Sequence, residues 1–131
     1  MHEHHATRLH WDFRLEYQGV LKSWAIPKRP PRVAGIRRLA FQVLDHELSY
    51  GDFEGTIPED EYGAGLVKIW DRGFYEKKLI TRDKYEVLLH GKRLQGAYVL
   101  FKFRKAGKNT WLFFKVKAKQ RNQREQRRRP G

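Results

Sequence analysis

Cysteine is absent from all 131 residues. Disulfides and thiolate-held metals are therefore excluded, and any metal must sit on histidine and carboxylate side chains. No apolar run approaches the roughly 18 residues that a bilayer-spanning helix needs, and no signal-peptide pattern opens the chain. The expectation is a cytoplasmic protein with no membrane partner. Acid is in short supply, with 15 Asp and Glu against 28 Lys and Arg, for a net charge of +13. Such a surplus favours a polyanionic partner such as DNA or RNA. The plain alternative is a highly charged surface of the kind heat-tolerant proteins carry.

The charge is unevenly placed. From Lys117 onward seven basic residues and the single acid Glu125 give +6, and the preceding 116 residues keep +7. The domain is therefore basic without its tail. Residues 119–131 are low in complexity and form a basic tail, expected to be flexible or at most a frayed helix. Residues 1–118 are long enough for one compact domain, and eight Phe, six Tyr and four Trp are enough to fill its core.

Helix-period spacing is scarce, and the dominant pattern is short alternating segments broken by Gly, Pro and Asp. Residues 9–16 are the clearest strand: Leu9, Trp11, Phe13 and Leu15 on one face, His10, Asp12, Arg14 and Glu16 on the other. Gln18-Gly19 is a turn, and residues 20–26 return as a second strand. Pro27, Pro30 and Pro31 then force an irregular loop. Residues 38–46 make a third strand with Leu39, Phe41 and Val43 on one face. Residues 52–65 form a Gly- and acid-rich loop, with one helical turn at residues 60–62. Residues 66–70 and 74–77 are expected to make a hairpin across Asp71-Arg72-Gly73. Residues 85–90, 97–103 and 111–117 complete seven or eight strands, which predicts an all-β barrel or tightly packed sandwich with little helix.

The chemistry concentrates in the first sixteen residues. Same-side positions on a strand lie about 6.6–7 Å apart, so His10 and Asp12 reach one cation, with His4 as a possible third ligand. Two histidines and a carboxylate with open positions suit a catalytic divalent metal. Arg14, next on that face, has the planar fork that matches phosphate. Each feature has a plainer explanation. His2, His4 and His5 together also fit a tag fragment or chance, and a His-x-Asp pair is often just a surface pair. His46 ends an apolar strand and can serve as a hydrogen-bond cap. Glu54, Glu59, Asp60 and Glu61 read first as a solvated loop. His90 has no evident partner, and Trp24, Trp70 and Trp111 read as core.

Beyond these features, residues 4–16 resemble the opening motif of the 3′-phosphoesterase domain of bacterial and archaeal DNA ligase D systems, in His4, His5, His10, Asp12, Phe13, Arg14 and Glu16. The likeness continues through Leu21, Lys22, Ser23, Trp24 and Pro27-Lys28, then Arg38-Leu39 and Asp45-His46. It runs on in Phe53-Glu54-Gly55, Tyr62-Gly63, Trp70-Asp71-Arg72-Gly73 and Trp111-Leu112. The resemblance implies a small closed antiparallel β-barrel. It also implies an enzyme that removes a 3′-terminal ribonucleoside and then the 3′-phosphate, leaving a 3′-OH, usually with Mn2+. By the same resemblance His4, His10 and Asp12 are the metal ligands and Arg14 binds phosphate. Lys28, Arg38, His46 and Tyr50 are further active-site positions, and Glu16 matches an acidic substrate-binding position. The implied partners are DNA 3′ ends or RNA/DNA primer-templates, with separate ligase, polymerase and Ku-type end-joining proteins. Four departures stand out: Leu44 where family members commonly carry an acid, Trp11 in place of tyrosine, Asp60 in place of glycine, and a first strand cut short. Leu44 removes a hydrogen-bonding carboxylate, which implies that one of the two steps is weaker than in relatives. Two rival expectations remain: a non-catalytic nucleic-acid-binding β-barrel that docks on DNA ends, and an RNA-processing phosphodiesterase on the same scaffold.

Overall fold

The structure, a computed structural model, describes residues 1–5, 9–52, 54–57 and 65–117. The expected turn at residues 60–62, the acids Glu59, Asp60 and Glu61, and the tail at residues 119–131 lie outside them. Ten strands follow in order: β1 (His2–His5), β2 (Leu9–Tyr17), β3 (Val20–Ile26), β4 (Arg37–His46), β5 (Gly55–Ile57), β6 (Gly65–Ile69), β7 (Phe74–Ile80), β8 (Lys84–His90), β9 (Gln95–Lys102) and β10 (Thr110–Lys115). Two short 3-10 turns, Leu48–Asp52 and Arg104–Ala106, are the helical content among the described residues.

All ten strands belong to one antiparallel sheet in the order β5-β6-β1-β2-β3-β4-β10-β9-β8-β7. The all-β expectation holds, but the closed barrel does not. β5 and β7 are the two edges, and no ladder joins them among the described residues. The sheet instead coils over its own core. β3 and β8 stand four places apart, which on a flat sheet is roughly 19 Å at about 4.8 Å per strand. Yet the rings of Trp24 and Tyr85 meet at 5.1 Å. The Tyr75 hydroxyl on β7 likewise reaches across to donate to the Glu16 carbonyl on β2 at 2.5 Å. Apolar burial closes the core while hydrogen bonding leaves the sheet open.

Alternation decides what is buried. Trp11, Phe13, Leu15, Trp24, Ile26, Ala40, Tyr85, Trp111 and Phe113 all belong to one core cluster. Phe13 packs on Phe113 at 4.8 Å, and Trp24 lies edge-on to Trp111 at 5.6 Å. The three tryptophans Trp24, Trp70 and Trp111 are thus core residues, as their pattern indicated. The β2–β3 turn is a two-residue one with both Gln18 (φ 53°) and Gly19 (φ 84°) in the left-handed region, the twist that short hairpins favour.

The hairpin expected across Asp71-Arg72-Gly73 is not formed. β6 pairs with β1 and β5, and β7 pairs with β8. Asp71 explains the break. Its buried carboxylate accepts from the backbone N–H of Arg72 (2.9 Å), Lys92 (2.8 Å), Arg93 (3.2 Å) and Leu94 (2.9 Å). It thereby pins the start of one strand pair to the turn of another. A Cβ at Gly91 would overlap that carboxylate, so the turn there requires glycine. Removing the carboxylate strands several buried donors, each costing about 1–3 kcal/mol. Asp71→Ala is therefore expected to destabilise the domain by roughly 3–5 kcal/mol, with Asp71→Asn intermediate. Urea midpoints at an unchanged m-value check this. His90, which had no evident partner in the sequence, holds Glu76 on β7 at 2.7 Å. Glu54, read as part of a solvated loop, accepts from the backbone N–H of Ile69 at 2.7 Å and so ties its segment to β6.

Candidate active site

Two adjacent strands build the site. The β1–β2 register sets His2 opposite Asp12 and His4 opposite His10, and directly opposed residues in an antiparallel pair share a face. Four polar side chains thus converge on the side away from the core. The His4 and His10 rings lie 4.7 Å apart. His4 Nδ1 stands 3.5 Å from Asp12 Oδ2, and His10 Nε2 stands 3.3 Å from Asp12 Oδ1, one carboxylate oxygen for each imidazole. Their donor atoms all lie within 4.8 Å of one another, with His4 and Asp12 buried and His10 half-buried.

This set fits a divalent cation. Nitrogen and oxygen ligands sit about 2.0–2.2 Å from such an ion, so neighbouring ligand atoms are separated by roughly 3–3.5 Å. The two short separations fall in that range. All three donors come from one side, which leaves further positions for water or a substrate oxygen. Burial pushes the Asp12 carboxyl up. The hydrogen bond from His10 and the charges of Arg14, His10 and His4 outweigh it, and the net direction is downward. The carboxylate is held ionised, as a metal ligand must be.

Arg14 is the next residue on that face of β2. Its Nη2 lies 3.4 Å from Asp12 Oδ2, its Nε donates to His2 Nδ1 at 3.3 Å, and its Nη1 donates to Ser23 Oγ at 3.4 Å. The fork is fixed by these partners before any ligand arrives. Burial lowers its pKa from the ordinary arginine value, partly offset by Asp12 and Tyr50.

Ser23 carries the network onward. Its hydroxyl donates to the Leu21 carbonyl at 3.1 Å, which leaves its oxygen to accept from Arg14 and from His46 Nδ1 at 3.3 Å. On this pattern Nδ1 of His46 carries a proton and Nε2 is the atom that gains or loses one. His46 lies flat against Tyr50, ring centroids 4.7 Å apart at 26°. Tyr50 also meets His2 edge-on at 5.5 Å, and Arg14 lies over its ring at 4.8 Å. Burial and then the charge of Arg14 lower the His46 pKa below its ordinary value, against opposing pulls from Asp12, the Leu44 carbonyl and Asp45.

A β-bulge aims His46. In the β3–β4 ladder Ser23 faces Val43 but Leu21 faces His46, so three residues of β4 span two of β3. The extra residue flips the alternation. His46 thereby joins Ser23 on the polar face instead of following Ala40 and Gln42 towards the core, and Leu44 is left 79% exposed.

The remaining expected site residues are more remote. Glu16 is exposed at the end of β2, beyond Arg14 on the same face. Lys28 is exposed just past β3. Arg38 faces Phe113 in the β4–β10 ladder, and its Nε donates to the Arg29 carbonyl at 2.9 Å. Neither Lys28 nor Arg38 is bonded to Asp12 or Arg14 among the described residues. Conversely, His2 and Ser23 were not singled out as site residues from the sequence. His2 is 2% exposed and joins Arg14 to Tyr50; Ser23 is fully buried and joins Arg14 to His46.

Comparison with known proteins bears directly on this arrangement. The family model described as the DNA Ligase D 3′-phosphoesterase domain matches residues 2–102. The chain belongs to that family. It is 45% identical over 129 residues, 95% of its length, to the multifunctional non-homologous end joining DNA repair protein LigD of Mycobacterium tuberculosis. It is 45% identical over 122 residues, 89% of its length, to the multifunctional non-homologous end joining protein LigD of Pseudomonas aeruginosa. The chain spans only 16% and 14% of those relatives. His4, His10, Asp12 and Arg14 all lie inside the segment that matches the phosphoesterase family.

Proposed function

We propose that this member of the DNA ligase D 3′-phosphoesterase family is a divalent-metal-dependent enzyme that trims nucleic-acid 3′ ends. It removes a 3′-terminal ribonucleoside and then the 3′-phosphate, leaving a 3′-OH for DNA double-strand-break repair. The observation that carries the proposal is the continuity of one network, from the His4–His10–Asp12 ligand set through Arg14 and Ser23 to His46.

His4, His10 and Asp12 would hold the cation, with Mn2+ the proposed ion. Bound there, it would supply Lewis-acid polarisation of a phosphoryl oxygen. Arg14 binds the phosphoryl group: its fork is fixed in advance, so charge developing on the oxygens is met without reorganisation. Asp12 keeps that fork in place and His2 holds its Nε side. His46, fixed at Nδ1 by Ser23, offers Nε2 to hold or deliver a proton at the leaving oxygen, with Tyr50 keeping its ring plane. Lys28, Arg38 and Glu16 are proposed to touch the nucleic-acid strand further from the reacting phosphate. The proposed partners are DNA 3′ ends or RNA/DNA primer-templates, together with ligase, polymerase and Ku-type end-joining proteins.

A non-catalytic nucleic-acid-binding module remains the rival reading, favoured by the net charge of +13. It leaves the buried carboxylate between two imidazoles without a purpose. The deciding assay is trimming of a primer ending in one ribonucleotide, with manganese and with chelator. The expected products are first a 3′-phosphate and then a 3′-OH end, in the metal arm alone. DNA binding without product in any divalent metal would leave the rival standing.

A further inference from the structure

The polar face of β2 does not end at β3. Asp12 faces Ala25, and Ala25 faces Phe41 on β4. Phe41 therefore lies two strand spacings, about 10 Å, from Asp12 along the same outer surface, with only a small alanine between. Leu39, the next outward residue of β4, faces Leu112 on β10, which in turn faces Phe101 on β9. These positions carry large apolar side chains in the open: Phe41 is 38% exposed, Leu39 43% and Phe101 45%.

Such side chains are on the wrong face to serve the core. Their neighbours along the strands, Ala40, Leu100 and Phe113, fill it instead. Cations border the patch. Arg37 lies over the Phe114 ring at 5.1 Å, and Lys84 on β8 faces Phe101. Glu86, which Lys84 holds at 2.7 Å, is the acid at its far edge. Aromatic rings on a sheet face, bordered by cations on a basic domain, suit unpaired nucleobases above a phosphate backbone. Bases inside a duplex are already stacked and cannot lie on such rings.

We propose that the outer face of β4, β10 and β9 is a stacking platform for single-stranded nucleic acid, with Phe41 and Phe101 as the two ring contacts. It holds an unpaired strand beside the primer end whose phosphate reacts at Arg14 and the His4–His10–Asp12 group. The proposal rests on the phosphoesterase reading for its role, since the platform adjoins the site where the primer end would react. The platform makes unpaired tails better ligands than flush duplex ends.

The test uses the full chain and its Phe41→Ala, Phe101→Ala and double variants. Binding of a fluorescent oligothymidylate and of a blunt duplex is read by anisotropy, with hydrolysis of a small chromogenic phosphate ester followed in parallel. The rings are surface-exposed, so the variants should fold, and Phe101→Trp provides a variant that keeps the stacking surface. Single-strand affinity is expected to fall roughly 10-fold per ring removed, with duplex affinity and small-ester hydrolysis unchanged and Phe101→Trp close to the parent. Unaltered single-strand affinity in the double variant overturns the platform. So does an equal loss on duplex and single strand, or a parent dimer that the double variant dissociates without loss of affinity. A parent that stacks single strands on these rings but hydrolyses no ester upholds the platform and overturns the phosphoesterase reading instead.

Discussion

Replacing His10 by alanine, or Asp12 by asparagine, is expected to abolish manganese binding and 3′-end hydrolysis together. Each change removes one of three donors that the β1–β2 register brings within 4.8 Å of one another. Asparagine keeps the shape of the aspartate while losing the negative charge that a divalent ion needs. The rate should fall by about 10³ or more in each, because the Lewis acid is lost, and Asp12→Asn also weakens the hold on Arg14. Asp12→Ala is the poorer experiment. The side chain of Arg14 is only 6% exposed and Asp12 is its charge partner. Alanine leaves that buried guanidinium with neither the charge nor an acceptor oxygen at this position, which costs about 3–5 kcal/mol and mixes a folding defect with a catalytic one, whereas asparagine keeps the acceptor. Titration calorimetry should find one tight manganese site in the parent and none in either variant. Unchanged metal binding in both would sink the assignment. A pH signature follows as well. The Asp12 carboxyl has a lower pKa in the folded protein than in the unfolded chain. Its contribution to stability is present above the unfolded value of about 3.9 and is lost as pH falls through the folded one. The metal-free parent should therefore lose stability in acid that the asparagine variant does not lose.

The chain disclosed its local order more readily than its long-range order. Alternation along residues 9–16 put Trp11, Phe13 and Leu15 on the core face and His10, Asp12 and Arg14 on the other, but burial does not follow it throughout: Leu9 is exposed and Asp12 is buried within the site. Ser23 was within reach of the same reasoning. A two-residue turn at Gln18-Gly19 fixes the register, and Ser23 then has to face Arg14. His2 reads with His4 and His5 as a tag fragment or chance run, and only the β1–β2 pairing places it opposite Asp12 on the site face. What alternation cannot give is a change of phase. Counting along β4 sends His46 to the same side as Ala40, and only the bulge between Val43 and His46 turns it to Ser23. Closure of a barrel is not what brings His46 to the metal ligands; direct β3–β4 pairing is. Sheet closure itself was illegible because coiling depends on core packing between strands four places apart, such as Trp24 against Tyr85. Asp71 was read as part of a hairpin turn, since nothing local reveals that its carboxylate binds backbone some twenty residues away.

His46→Ala is expected to leave manganese affinity near that of the parent while slowing hydrolysis by something like 10²–10⁴, the usual range for an acid–base group. The division follows from geometry: His46 reaches Ser23 and Tyr50, and the described ligand set closes without it. Its pH behaviour makes the assignment specific. In the free protein, burial and the Arg14 charge hold its pKa below the ordinary histidine value. Its protonated form is therefore present at acid pH and is lost as pH rises through a point below about 6.5. A phosphoryl group docking on Arg14 brings negative charge into the same pocket and offsets that cation. The His46 pKa should then rise on binding inorganic phosphate, which a ring-resonance titration by NMR will read directly. The profile of kcat/KM should carry the lower, free-protein ionisation, and that of kcat the higher one. His46→Ala should lack both limbs. Ser23→Ala should keep them but move them, because it removes the Nδ1 partner and not the titrating ring. Loss of manganese binding in His46→Ala would make the histidine a ligand. Full rate on both the ribonucleotide-ended and the 3′-phosphate substrate would make it a hydrogen-bond cap at the end of β4, with Tyr50 and Ser23 reduced to its packing.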